Sequence, residues 1–578
     1  MESTIIQLLK KVIDTEHYDK IQVSYPLRFE YGDFSSNIAL RLEKAYNKPA
    51  ITIARDLYEK LSKKKNQDII RIKVVEPGYI NFYLDNTVYE RELKRILIEK
   101  ENFGTNTQLD TKRIMVEYGH PNPFKVMHIG HLRNFCIGES LTRLLENAGA
   151  RVIRTNYQGD VGMHVAKTVW AIQKKIKNSE LRIENMEEKA VSEKVDFLGK
   201  SYAEGATAYE KDEDAKKEIQ AINAALYNKK DVEVEKLWRL GVLWSLEKFH
   251  EMYVRLGTHF DREYMESETL EMAFKKVKEA LQKGILIKSK GAVIFDGAPF
   301  NLDTRVFLNS QGFLTYEGKE LGLAYMEFSD FGKLDKCIHN VAVEQVSFFA
   351  VTFKVEELLD STLFKGKQYH NAYEFVGLKK GKMSSRTGKV VTAQSILDEA
   401  HKKIRVIVGE NKMSLSEKDI DKIAVGAVKY SYLKMSPFKY LAFDLDESLS
   451  FKGDSGPYLQ YTYARARSVL RKFKIPASSA GGQAKVKINS EFVKNLNKYE
   501  TALLRHLMKF PETVLRAMSE YSPHYIATYL NDCAQLFNTF YTLCPIRESP
   551  LRLDITEATS YVMKNGLYLL GIETLERM

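Results

Sequence analysis

The spacing of apolar residues changes period several times along the chain, and each change marks an element. Over the first twenty positions Ile5, Leu8, Leu9, Val12 and Ile13 recur every three or four residues, which predicts an amphipathic helix. Helix-like and strand-like stretches alternate to about residue 105. They include YGDFSSNIAL (31–40), where Ser35 or Ser36 is placed to cap a helix, and the turn-then-strand EPGYINFYL (76–84). At 113–118 the run RIMVEY reads as a short buried strand, followed by a loop with two prolines, PNPFKVMHIGH. Leu132, Cys136, Leu141, Leu144, Leu145 and Ala148 then return at helical spacing and stop before Gly149, a residue suited to the left-handed turn that ends helices. A second strand, RVIRTNY (151–157), comes next. Strand, loop, helix and strand within about 45 residues form a βαβ unit and predict a parallel, doubly wound sheet.

Residues 166 to about 250 are densely charged and helical in pattern, as in ENMEEKAVSEKVDF and YEKDEDAKKEIQ, and predict a helical insertion rather than more sheet. AVIFDG (292–297) and CIHNVAV (337–343) are strand-like and are expected to complete the nucleotide fold. In the last third, PASSAGGQAK (476–485) is a loop among long helical patterns. Ser522-Pro523 reads as a cap followed by proline at the first helical position, ahead of one apolar face running through Tyr525, Ile526, Tyr529, Leu530, Cys533, Ala534, Phe537, Phe540 and Tyr541. That region is expected to be an all-α bundle.

Composition narrows the class. At 44% hydrophobic residues and a mean hydropathy of −0.33, the 578-residue chain can bury several ordinary cores. No apolar run approaches the roughly 20 residues that span a bilayer, and the first residues lack the pattern of a signal peptide. Cys136, Cys337, Cys533 and Cys544 lie far apart without ligand spacing, which argues against a disulfide framework and against zinc, and suits the cytoplasm. Eighty-seven basic residues against 76 acidic give a net charge of +11, which favours a polyanionic partner, although many basic proteins never meet nucleic acid.

Two short motifs carry chemistry. His128-Ile129-Gly130-His131 lies between a parallel strand and its helix, where unpaired backbone N–H groups suit a phosphate and two imidazoles one turn apart can donate to its oxygens. Taken alone, the same four residues read more readily as a chance string or an ordinary helix cap. About 250 residues downstream, Gly381-Lys382-Met383-Ser384-Ser385-Arg386-Thr387-Gly388 is a glycine-flanked loop of cations and hydroxyls without P-loop spacing. In this order, after a βαβ unit, the pair resembles the HIGH and KMSKS signatures of class I aminoacyl-tRNA synthetases.

Within that class the arginyl family is the match. VEYGHPNPFKVMHIGHLRN (116–134), NYQGDVGMH (156–164), YVRLGTHFDREYMES (253–267), FLTYEGKELGLA (313–324) and VAVEQVSFF (341–349) are similar to its catalytic blocks. FDLDESLSFKGDSGPYLQYTYARAR (443–467) and LNDCAQLFNTFYTLCPI (530–546) resemble its helical anticodon-binding domain, while GDFSSNIAL and PGYINFYL resemble its own N-terminal domain. The second lysine of KMSKS is absent here, Ser385 standing in its place, and Lys125, three residues before the HIGH motif, is positioned to compensate. Glu320 replaces the aspartate of many relatives and His164 their glutamine.

The resemblance implies an arginine–tRNA ligase with a Rossmann-type α/β catalytic domain at 109–395, carrying the helical insertion. It also implies an N-terminal tRNA-binding α+β domain at 1–108, a connecting stem at 396–450 and a C-terminal all-α bundle at 451–578. ATP, with Mg²⁺ on its phosphates, would meet His128, Gly130, His131, Lys382, Met383, Ser384 and Ser385, with Lys125 assisting. A planar guanidinium calls for carboxylates in fork geometry and an acceptor hydroxyl, which Glu117, Glu320 and Tyr316 match. Seen in isolation, Tyr316 reads more readily as core and Glu320 as a solvated helix charge. Asn122 and Gln345 correspond to residues holding the substrate α-amino group. The expected partners are arginine and tRNA(Arg), the expected state is a monomer, and no zinc or membrane is expected. Rival readings are another class I synthetase, such as the cysteinyl enzyme with its zinc-ligating cysteines, a small-molecule nucleotidyltransferase, and a non-catalytic tRNA-binding relative. Intact His128, Gly130, His131 and Lys382 argue against the last.

Overall fold

The structure, a computed structural model, describes residues 1–26, 28–64, 66–178, 182–229, 231–379, 391–473 and 495–578. The loop at 476–485 and Lys382, Met383, Ser384 and Ser385 lie outside the described residues.

At the centre is a five-stranded parallel sheet. Its elements in chain order are β1 (Arg113–Glu117), α1 (Ile129–Asn147), β2 (Arg151–Gln158), β3 (Arg262–Met265), α2 (Tyr316–Phe331), β4 (Lys336–His339), α3 (Val346–Leu359) and β5 (Gln368–His370). The spatial order is β5-β4-β1-β2-β3. Because the chain leaves β1 in one direction through β2 and β3 and returns on its other side as β4, the winding reverses between β1 and β4. In open α/β sheets the crevice at the carboxyl ends of the strands beside such a reversal is where ligands bind. Glu117 and His339, paired in register, end the two strands there.

The βαβ unit forms as its spacing predicts. Leu132, Cys136, Leu141, Leu144, Leu145 and Ala148 are all buried. The helix ends with Gly149 at φ +91°, where the Gly149 N–H bonds the Glu146 carbonyl and the Ala150 N–H that of Leu145, the two bonds that close a helix through a left-handed residue. Five helices, Met163–Lys177 through Val232–Arg255, separate β2 from β3 and form a core of their own around Val169, Leu198, Ile219 and Trp244. Phe124, from the loop before α1, is buried in that core, so the insertion grips the loop that precedes the HIGH motif.

Several local expectations need correction. Ala292–Phe295 does not join the parallel sheet. It is the middle strand of an antiparallel sheet with Ile287–Ser289 and Arg305–Leu308, because Lys290 and Gly291 both take positive φ and make a two-residue hairpin turn. Ser522 does not cap the helix His524–Leu543. Its hydroxyl bonds back to the Glu520 carbonyl, and Pro523 occupies the cap position. On that helix the face from Ile526 to Phe540 is buried, but Tyr541 is exposed, stacked against the Arg465 guanidinium. At the N-terminus Asn37, not Ser35 or Ser36, holds the cap position of the helix Ile38–Tyr46, while Ser36, ending the strand Phe34–Ser36, accepts the Ile38 N–H on its Oγ. The first helix stops at Lys10, yet Val12 and Ile13 beyond it are buried.

The N-terminal residues form a four-stranded sheet with helices and pack on the C-terminal bundle. The Tyr25 hydroxyl donates to Glu512 at 2.6 Å, and the Arg505 guanidinium donates to the Asp33 carbonyl at 3.1 Å. All four cysteines are buried and free. No helix of the described residues is long and apolar enough to cross a membrane.

Candidate active site

The loop from β1 to α1 is shaped by backbone conformations few residues adopt: Gly119, His120 and Phe124 all have positive φ. Asn134, one turn into α1, holds it by accepting the Gly119 N–H at 2.7 Å while donating to the Asn340 carbonyl at 2.9 Å, which ties the loop to the end of β4. The loop delivers its residues to two places.

The first is the start of α1. His128 is the N-cap; its Nδ1 accepts the Gly130 N–H at 3.1 Å, and its own N–H is accepted by His131 Nδ1 at 3.0 Å. Both Nδ1 atoms are thus acceptors, so each neutral ring carries its proton on Nε2. Burial first, then the neighbouring Lys125 charge, lowers the His128 pKa, and burial holds His131 well below its usual value, so both rings are neutral donors at neutral pH. Gly130 makes room for this arrangement, since a Cβ there would lie 3.0 Å from His128 Cε1. Lys125 is exposed beside them, and burial of its stem with the charge of Lys167 lowers its pKa. Thr392 bridges to His128 and the Ala393 N–H bonds the Met127 carbonyl at 2.8 Å, so the chain re-enters from residues 380–390 directly against the HIGH motif.

The second place is the reversal point. Glu117 is 2% exposed and Glu320 5%. His339 lies between them, with Nδ1 at 3.2 Å from Glu117 Oε1 and 4.0 Å from Glu320 Oε1, and Nε2 at 3.0 Å from Gln368. Burial disfavours charge on both partners of the Glu117–His339 pair. Their mutual attraction and hydrogen bond outweigh it, so Glu117 stays below and His339 well above the ordinary value. Glu320 is pushed up to about 8 by burial and by the charge of Glu117. Glu327, two turns further along α2, is also fully buried and pushed well above the carboxylate range.

Beside Lys125 lies a cavity of about 920 Å³, lined by Asn122, Gly159, His164, Tyr316 and Lys319 among others; Glu117 and Glu320 are not part of its lining. Asn122 Oδ1 accepts the Gly159 N–H at 2.8 Å, and His164 Nε2 is 3.0 Å from the Gly159 carbonyl. Asp160 receives the Ser267 N–H and hydroxyl at 2.9 and 2.6 Å, pinning this loop to the start of the helix after β3. Tyr316 is not packed with the carboxylates. As the first residue of α2 it is 74% exposed at the cavity, with the Lys319 ammonium 5.5 Å from its ring. Gln345 heads α3, partly buried, and its side chain does not cap that helix.

Of the expected site residues the structure therefore groups Lys125, His128, Gly130 and His131 at one end, Glu117 and Glu320 at the other, and Asn122 and Tyr316 along the cavity. Sequence reasoning missed His339 and Glu327. The available signals were a histidine ending a buried strand run and a second glutamate seven residues after Glu320 on the same helical face.

Comparisons with known proteins agree over the whole chain. Residues 92–445 match the family "tRNA synthetases class I (R), catalytic domain", residues 459–578 the "DALR anticodon binding domain", and residues 1–84 the "Arginyl tRNA synthetase N terminal domain". The chain is similar to the arginine–tRNA ligase of Treponema denticola, 34% identical over 97% of this chain and 95% of that one, and to that of Clostridium perfringens, 30% identical over 98% and 97%. Among solved structures it superposes on Thermus thermophilus arginyl-tRNA synthetase with a TM-score of 0.79 and 25% identity, covering all of both chains.

Proposed function

The chain belongs to the class I arginyl-tRNA synthetase family, and from that premise we propose that it condenses arginine with ATP to arginyl-adenylate and passes the arginyl group to the terminal adenosine of tRNA(Arg). The observation that carries the choice of amino acid is the pair of buried carboxyl groups at the reversal point, Glu117 and Glu320, of which Glu320 has an oxygen that accepts no hydrogen bond among the described residues. A buried acceptor left without a donor costs about 1–3 kcal/mol, more when charged, so the site is built for a ligand bringing several donors. A guanidinium brings five in a plane.

MgATP enters as substrate against the start of α1. In this reading His128, His131 and the ammonium of Lys125 hold the phosphates, and Lys382 joins them as the family resemblance implies. Asn122 and Gln345 hold the α-amino group and Tyr316 borders the guanidinium from the cavity. The arginine carboxylate then attacks the α-phosphate in line and pyrophosphate departs. Little covalent work is asked of the protein, since positioning and charge stabilisation lower the barrier of such displacements. The adenosine hydroxyl next attacks the activated carbonyl and AMP leaves.

Support for the nucleic-acid partner comes from the bundle, where a cavity of about 1040 Å³ is lined by Tyr461, Arg465, Lys472, Tyr541, Arg547 and Arg577, an arrangement of cations and aromatic faces that suits unpaired bases. The catalytic domain is read as 109–395, between an N-terminal domain to 108 and a stem at 396–450 before the bundle from 451. The protein is read as a cytoplasmic monomer. No zinc is required, because the cysteines are dispersed and both ring nitrogens of His339 already have partners. The test is arginine-dependent charging of a tRNA pool by purified protein. Charging with another amino acid, or none, rejects the reading.

A further inference from the structure

The reversal point holds more buried carboxyl groups than counter-charges. Glu117, Glu320, Glu327 and Glu356 are all at or below 5% exposure, and the last three each have an oxygen that accepts no hydrogen bond among the described residues. Among the described residues their ion pairs run only to His339 and, at 4.0 Å, from Glu117 to His120. Phe349 and Phe353 cover the other side of the His339 ring at 5.0 and 5.3 Å, so water does not supply the missing solvation. Four like charges facing one imidazolium in such surroundings cannot all be ionised.

The remaining groups do not change that balance. Burial keeps the Cys337 thiol, the Tyr157 hydroxyl and the His120 ring in their neutral forms. Glu266 is neutralised by its own partner, Lys319. Glu327 faces Glu117 closely enough to donate to it when protonated, and burial keeps it so. Glu356, raised to about 8 by burial, receives the Gln368 amide at 2.7 Å on the far side of the imidazole. Glu320 is left as the acid next to the Glu117–His339 pair with an unoccupied oxygen.

We propose that the arginine-free pocket holds a proton on the Glu117–Glu320 pair, chiefly on Glu320, that the incoming guanidinium displaces it to solvent, and that arginine capture is therefore a proton-releasing step. His339 keeps its own proton, clamped between Glu117 and Gln368, and acts as a positioning residue that fixes Glu117. The proposal rests on the assignment of Glu117 and Glu320 to the guanidinium. Since the guanidinium is charged at every accessible pH, the ligand's own titration does not mask the effect. Linkage sets the sign: while Glu320 is protonated in the empty site, affinity rises with pH by up to tenfold per unit and levels off once it is ionised, above about 8.

The test is calorimetric titration of the full chain with arginine at pH 7 in phosphate and in Tris, whose ionisation heats differ. The expected result is release of close to one proton per arginine, with Kd falling nearly tenfold from pH 6 to pH 7. Glu327→Gln, isosteric with the protonated acid, retains the release, and Glu320→Gln abolishes it. Equal heats in both buffers with a Kd unchanged from pH 6 to 7.5 overturn the proposal while leaving the pocket assignment intact, as does undiminished release by Glu320→Gln. Should weak binding hide the heat of that variant, the wild-type proton count decides. Absence of any arginine binding removes the pocket assignment and the proposal together.

Discussion

At the ends of β1 and β4 the ionisable groups are buried, acidic and arranged around a fixed imidazolium. At the start of α1 the groups are neutral imidazoles and an exposed lysine, and among the described residues Lys125 makes no ion pair. The first arrangement discriminates, because a ligand without the right donors leaves buried acceptors unsatisfied. The second discriminates little between ligands but is already oriented, its Nδ1 atoms bonded to backbone N–H groups and its ring protons left on Nε2. Under the proposed assignment, the comparison teaches that recognition and rate acceleration rest on different electrostatic designs at the two ends of the loop from β1 to α1.

If so, substitutions at the two ends should separate binding from chemistry. The largest effect is expected from Glu320→Gln, which removes a desolvated charge facing the guanidinium: the arginine KM should rise by an amount equivalent to about 2–5 kcal/mol, with kcat far less affected. Steady-state kinetics varying arginine at saturating ATP and tRNA check this, and an unchanged KM removes the pocket assignment. Next, Lys125→Ala should slow adenylate formation by about 3 kcal/mol, roughly a hundredfold, with arginine affinity preserved and a loss at least as severe as that of Lys382→Ala. Single-turnover rates with tRNA present decide it. A Lys125 that only lays its stem on neighbouring side chains would leave the rate nearly intact.

A smaller effect concerns His164 in the cavity beside Lys125. Burial, then the charge of Lys125, holds it down at about 3, so folding favours the neutral ring. Its contribution to stability is complete above the ordinary value near 6.5 and is lost as pH falls from there toward 3. Between pH 7 and 5 the protein should therefore lose about 2 kcal/mol more than His164→Gln, seen as a smaller acid-induced drop in unfolding temperature for the variant. The smallest is Gly130→Ala. The added Cβ meets His128 Cε1 at 3.0 Å and Nδ1 at 3.1 Å, displacing the ring from its backbone donor. Adenylate formation should slow by about tenfold with the melting temperature unchanged. A normal rate would mean that the ring's position is not set by residue 130.

The phosphate end was largely legible in the sequence because its geometry is local: His128, Gly130 and His131 are adjacent, and the helix that presents them declares itself by period. The acidic end was legible only in part. Glu117 and Glu320 follow from family resemblance, but their relation to His339 depends on two strands more than two hundred residues apart lying in register, which no spacing rule supplies. Strand 292–295 was misplaced for a related reason, since a short apolar run has the same pattern in a parallel and an antiparallel sheet, and only the Lys290-Gly291 turn distinguishes them. Tyr316, expected beside the carboxylates from its helical offset to Glu320, instead caps the cavity because the helix begins at that residue.

The clasp between the two ends of the chain has a consequence for synthesis. Asp33 finds Tyr89 within its own domain, but Arg505 lies 472 residues further on. At roughly 5–20 residues per second a ribosome needs on the order of 25 to 95 seconds to deliver that partner. For that interval the first hundred residues are a nascent domain with one face uncovered, waiting on the last helices to be translated.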